Sequence, residues 1–294
     1  MSSFRVKKKL LQKSLKSHVA IIGLLTLSTL IFISNHLFFH YHGNQYIPSV
    51  AFGFSLYMLV FYICTYALDI LKPCRVYFKD CLSLGSCVLI ISLATNAIQF
   101  TPFSTIDEHL GRFELLPLTF IISWTKAHAY LFLLLTHFYN SLNIILVMVP
   151  LLLIMFQKKT ALNSFYRFIM TSTFLGFIIY FFFPSCGPAS FFPKNIFEYY
   201  QKDNSLKFYQ IHHGEFPSTE LGGLIAFPSF HVIWAYACVY PLRNYKWIKS
   251  VMYLWFSLIS LSCIMLGWHY SLDILGSYFI ITLSRKIIEQ NQLS

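Results

Sequence analysis

Long apolar runs separated by short polar, mostly basic pieces set the pattern of this chain. The runs lie over residues 18–39, 47–71, 81–100, 141–156, 161–183, 226–240, 250–267 and 270–283. A bilayer core asks for about 20 apolar residues in a helix, and only helices or closed barrels satisfy their backbone groups there. The pattern therefore predicts an all-α polytopic transmembrane helical bundle of about eight spans. The stretch 113–140 is apolar but interrupted by Trp124, Lys126 and His128, which predicts an interfacial or re-entrant helical segment. Five parts result: a basic N-terminal segment (1–17), transmembrane helices over 18–112, the interfacial segment 113–140, a transmembrane core over 141–286 with a polar loop at 184–225, and a tail at 287–294.

Composition supports this class. Hydrophobic residues make up 56% of the chain and charged ones 11%, outside the range of soluble domains. The formal net charge of +11 does not point to nucleic acid, because Lys and Arg fall in clusters between apolar runs, as orientation signals do. With a cytoplasmic N-terminus, 17 of the 22 basic residues fall on the cytoplasmic side. Arg112, Lys126, Lys194, Lys202 and Lys207 remain on the outer side. Both termini are then cytoplasmic, in an integral multi-pass protein. Run 18–39 lacks an Ala-x-Ala cleavage pattern and reads as a retained signal anchor. None of the seven cysteines has metal-ligand spacing, and most read as buried small apolar residues without a disulfide framework.

Two pieces near the C-terminus carry candidate chemistry: Ala226-Phe227-Pro228-Ser229-Phe230-His231 and Gly267-Trp268-His269-Tyr270-Ser271-Leu272-Asp273. Each puts an ionisable group at the edge of an apolar run, where charge is costly to keep without a use. His269 and Asp273, four residues apart, share one helix face, so the carboxylate can orient the imidazole. Pro228 and Ser229 read as a helix start, with Ser229 capping free N–H groups that favour an anion such as phosphate. In the eight-span map His231, His269, Asp273 and the turn Pro184-Ser185-Cys186-Gly187-Pro188 all meet the outer (periplasmic or lumenal) face.

That set suits displacement at phosphorus. His269, oriented by Asp273, would attack and form a phosphohistidine, and His231, otherwise unpaired, would protonate the leaving oxygen. Both roles call for imidazoles titrating near neutrality. Charge on the phosphoryl oxygens would be met by backbone N–H groups near Ser229, the Ser229 hydroxyl and some cation, with Lys126, Arg112 and Lys194 as outer-side candidates. A metal held by His231, His269 and Asp273 lacks a fourth spaced ligand, so no metal and no cofactor is expected. Asp69, His40, His42, His128, His137, His212 and His213 read as interfacial amphipathic residues.

Pro228-Ser229-Phe230-His231 and His269-Tyr270-x-x-Asp273 resemble the second and third signature motifs of the type 2 phosphatidic acid phosphatase superfamily. The form is most similar to its inositol phosphorylceramide synthase and sphingomyelin synthase branch. Phe183-Pro184-x-x-Gly187-Pro188 is similar to a turn in bacterial members of that branch, and the resemblance covers roughly Ile178 to Tyr278. It implies a six-helix catalytic core, a His269 nucleophile, a His231 acid/base, an Asp273 orienting group and metal-independent chemistry. It also places Pro228, Ser229, Gly187, Pro188 and Tyr270 around the substrate. Two departures stand out: the Lys-x-x-x-x-x-x-Arg-Pro motif is absent, and Cys263 occupies the usual Arg position of the third motif. Both remove phosphate-binding cations and tilt the reading to a transferase. That transferase would move a phospho-headgroup, phosphoinositol first, from a phospholipid to a lipid alcohol such as ceramide or diacylglycerol within the membrane. A lipid phosphate phosphatase using water, and a non-catalytic transporter or scaffold, remain the alternatives.

Overall fold

The computed structural model describes residues 2–41, 48–219 and 225–293, and these are helical with no strand among them. His42, read from sequence as an interfacial histidine, and residues 220–224 of the polar loop lie outside the described residues. In order the helices are α1 (Ser2–Phe39), α2 (Pro48–Ala67), α3 (Arg75–Ile98), α4 (Asp107–Arg112), α5 (Leu118–Ala127), α6 (Ala129–Met155), α7 (Lys159–Phe182), α8 (Tyr199–His212), α9 (Phe230–Val239), α10 (Lys246–Met265) and α11 (Ser271–Leu293). Five are long and apolar enough to cross a membrane: Ile21–Phe39 of α1, then α3, α6, α7 and α10. The other three apolar runs form α2, α9 and α11. Large apolar side chains such as Leu133, Ile144, Val251 and Leu254 point outward from α6 and α10, which fits a hydrocarbon surround.

Helix α9 is the hub. Val232, Ile233, Ala235, Ala237, Cys238 and Val239 have no exposed surface, and α6, α7, α10 and α11 enclose them. Its alanines and cysteine let neighbouring backbones come close, which is how apolar helices gain packing energy in lipid. Helix α3 packs on α6 and α7 and completes a six-helix bundle, while α1 lies on α3 and α7 and α2 on α3.

The stretch 113–140 divides at His128. Helix α5 is one short element of ten residues, and the rest forms the first turns of α6, so the long helix begins at Ala129. A tight turn returns α6 to α7: Lys158 N donates to Leu153 O at 2.8 Å, with Gln157 at φ 51. Helix α8 starts with a capping box between Glu198 and Gln201. The Gln201 Nε2 then donates to Leu266 O at 2.9 Å, which fixes α8 to the end of α10.

Candidate active site

Helix α9 begins at Phe230 and so presents His231 in its first turn. Pro228 is buried in the turn over residues 226–229, as a rigid lead-in to a helix should be. Ser229 departs from the cap expected of it. It occupies the N-cap position, yet its hydroxyl makes no capping bond, is fully buried and has no hydrogen-bond partner. The side chain turns inward beside the Cys263 thiol of α10, and its own N–H donates to Asp273 O at 3.4 Å. The first-turn N–H groups of α9 therefore keep no side-chain acceptor.

His269 arrives on the loop between α10 and α11. Gly267, at φ 79, reverses the chain, and the N–H groups of Trp268 and His269 both donate to Cys263 O at 3.1 Å. The ring is then held from two sides: Nδ1 lies 3.0 Å from Ala226 O and 3.2 Å from Asp273 Oδ2. A carbonyl can only accept, so Nδ1 carries the hydrogen and Nε2 presents its lone pair. Asp273 Oδ2 also accepts from Tyr270 N at 2.9 Å, and Ser277 Oγ donates to both Asp273 O and Ser229 O. Burial pushes the His269 pKa down to about 4, opposed only by the hydrogen bond to Ala226. The shift runs below the near-neutral titration expected from sequence, and its cause is desolvation, which favours the neutral ring.

The Pro184–Pro188 turn joins the same place. Ala226 N donates to Ser185 O at 3.1 Å, and Tyr270 Oη donates to Gly187 O at 3.3 Å. Gly187 has φ 96, and a Cβ there would stand 3.0 Å from Trp268 O, so the backbones touch where a side chain would not fit. Gly187 and Pro188 frame the histidine loop. The Gly187 N–H is not open to a substrate phosphate, because it donates to Asp107 Oδ1 at 3.0 Å.

The two imidazoles face each other with centroids 6.1 Å apart and planes at 58°. His231, expected to be unpaired, lies against Tyr139 of α6: the rings stack at 4.0 Å and the phenol oxygen is 3.3 Å from Nδ1. Tyr139 stacks in turn on Trp268 at 5.3 Å, and Trp268 on Tyr200 of α8 at 5.9 Å. Two of the three candidate cations are otherwise engaged. Arg112 pairs with Glu108, and Lys126 pairs with Glu198 at the start of α8, while Lys194 is exposed on a single turn. Among the described residues no three His, Cys, Asp or Glu side chains are grouped to hold a metal ion.

Three neighbours of the site had no sequence signal strong enough to single them out. Tyr139 sits in an apolar run where tyrosines also serve as interface anchors. Glu114 accepts from Ser271 N at 2.9 Å and from Leu116 N at 3.1 Å, capping α11 from a distant loop. Asp107 adjoins Glu108; the i,i+4 match of Glu108 with Arg112 is the one hint that Asp107 faces the other way.

The sequence profile of the PAP2 superfamily matches residues 108–287, from α4 to within α11. No curated protein and no solved structure matches the chain.

Proposed function

The chain belongs to the PAP2 superfamily, and from that premise we propose that it is a membrane phosphotransferase of the inositol phosphorylceramide synthase type. It takes a phospho-headgroup, phosphoinositol first, from a glycerophospholipid and gives it to a lipid alcohol such as ceramide or diacylglycerol. The observation that carries this reading is the pair of imidazoles 6.1 Å apart, with one of them tied to a carboxylate. His269 Nε2 attacks phosphorus, forming a P–N bond as the P–O bond to diacylglycerol breaks. His231 gives its proton to the departing oxygen and takes one back from the acceptor hydroxyl, whose oxygen then displaces His269.

Charge on the phosphoryl oxygens meets the first-turn N–H groups of α9, in a site where Cys263 stands in place of an arginine. Transferase over phosphatase is supported by His269-Tyr270-x-x-Asp273 and by that missing guanidinium. The site faces the outer side in this reading. Helices α7, α10 and α11 reach it from ends marked by Lys158 and Lys159, by Lys246 and Lys249, and by Arg285 and Lys286, the basic ends that stay cytoplasmic.

The test supplies labelled phosphatidylinositol to the reconstituted protein, with and without ceramide or diacylglycerol. Label moving to the added alcohol supports the transferase. Inorganic phosphate released from phosphatidate, with no lipid product, moves the reading to a lipid phosphate phosphatase. Full turnover by the His231→Ala, His269→Ala double variant leaves a non-catalytic membrane protein.

A further inference from the structure

The carboxylate of Asp107 fills a cradle that the chain could have offered to a ligand. Ser185 Oγ donates to Oδ1 at 2.7 Å, Cys186 N to Oδ2 at 2.9 Å and Gly187 N to Oδ1 at 3.0 Å, around a residue only 4% exposed. Successive backbone N–H groups converging on one point form an anion nest. Here the anion is the protein's own, contributed from α4, some 80 residues earlier in the chain.

The held turn leads to the nucleophile by two short routes. In one, Ser185 O accepts from Ala226 N, and Ala226 O is the closer acceptor of His269 Nδ1. In the other, Gly187 O accepts from Tyr270 Oη, while Tyr270 N binds the carboxylate that orients His269. We propose that Asp107 is a positioning residue for His269, acting through the Ser185–Gly187 turn on both acceptors of the imidazole N–H. It touches no substrate. This rests on the phosphotransfer reading only for its kinetic consequence; its structural consequence stands apart.

The substitution Asp107→Asn keeps the shape but turns an amide toward at least one of three donors. The full chain in lipid nanodiscs is compared with Asp107→Asn, with Ser185→Ala, which removes a single donor and keeps the carboxylate, and with Asn35→Ala. Asn35 Nδ2 binds Ala97 O and Phe100 O, tying α1 to the end of α3, and neither acceptor belongs to His231, His269 or the Ser185–Gly187 turn, so it controls for lost stability alone. Two quantities are read: lipid phosphotransfer, and the imidazole nitrogen resonances of His269, identified by their loss in His269→Gln.

The expected result for Asp107→Asn is a kcat lower by about 10- to 100-fold with KM nearly unchanged, the scale of a small misplacement of a reacting group. The wild-type pattern of protonated Nδ1 and bare Nε2 should move toward a tautomer average. Ser185→Ala should do the same to a smaller degree, and Asn35→Ala should do neither. Unchanged resonances in both Asp107→Asn and Ser185→Ala overturn the proposal, whatever happens to turnover. A tautomer shift in a protein whose wild type transfers no phospho-headgroup sustains it, and removes the functional reading instead.

Discussion

The rings of His231 and His269, delivered by separate segments, stand with centroids 6.1 Å apart. A near-attack contact of about 3 Å to phosphorus on one side, and hydrogen-bond reach of about 3 Å to the leaving oxygen on the other, fit such a gap. The rings differ in how they are held. His269 is fixed by two acceptors on Nδ1, whereas His231 leans on the face of Tyr139. His269 thus turns a bare Nε2 away from its two acceptors, as the proposed nucleophile requires, and His231 stands beside it in the place of the proposed proton carrier.

Asp273→Ala removes one of the two Nδ1 acceptors but leaves Ala226 O, so the useful tautomer survives in part. We expect kcat to fall by about 10- to 100-fold, less than the roughly 10⁴-fold seen where a triad carboxylate is the sole orienting group. Steady-state kinetics on the purified variant check this, and a loss of only twofold would show that the carboxylate does not orient the ring.

Tyr139→Phe keeps the stack on His231 and Trp268 and deletes only the hydroxyl. One hydrogen bond of about 1 kcal/mol gives roughly a 3- to 10-fold slowing with a lipid donor, whose alkoxide needs His231's proton. An aryl phosphodiester, whose leaving group needs no proton, should be turned over at the wild-type rate. Equal slowing of both donors would mean that the hydroxyl supports structure, not proton transfer.

Gly187→Ala tests the close approach of the turn to the histidine loop. A side chain at φ 96 is strained, and its Cβ would press on Trp268 O at 3.0 Å. Thermal unfolding should show a loss of about 1–3 kcal/mol, with activity falling further than stability because the displaced carbonyl belongs to the residue before His269. An unchanged melting temperature would contradict the contact.

Acid should destabilise the protein partly through His269. Burial holds its folded pKa down at about 4, below the roughly 6.5 of an unfolded histidine. The unfolded chain therefore gains a proton first as pH falls. The stability that neutral His269 contributes is complete above about 6.5 and is lost as pH drops towards 4. His269→Gln cannot titrate, so its melting temperature should fall less than that of the wild type between these limits. Parallel curves would contradict a buried neutral ring.

The meeting of His231, His269 and Asp273 was legible because ionisable residues at the edges of apolar runs are few, and the order of spans puts these on one face. The bundle was legible for the same reason of apolar length. What surrounds the histidines was not. Asp107 and Glu114 act on backbone N–H groups about 80 and 157 residues away, and no local pattern announces a long-range acceptor. Tyr139 reads as one more aromatic in a span. Ser229 shows the limit of a local rule: Pro-Ser before an apolar run predicts a cap, but its N–H is claimed by Asp273 O across the bundle and the hydroxyl turns inward. Burial, which sequence spacing does not reveal, also lowers the pKa of His269.

The most direct measurement is to locate the covalent intermediate. The reconstituted protein is mixed with phosphatidylinositol labelled in phosphate, quenched at alkaline pH before acceptor is added, and digested for mass spectrometry. The account predicts a phosphoinositol adduct, acid-labile and base-stable, on the peptide bearing His269, absent in His269→Gln and discharged by ceramide or diacylglycerol. Label on any other residue, or transfer at the full rate by His269→Gln, would contradict it.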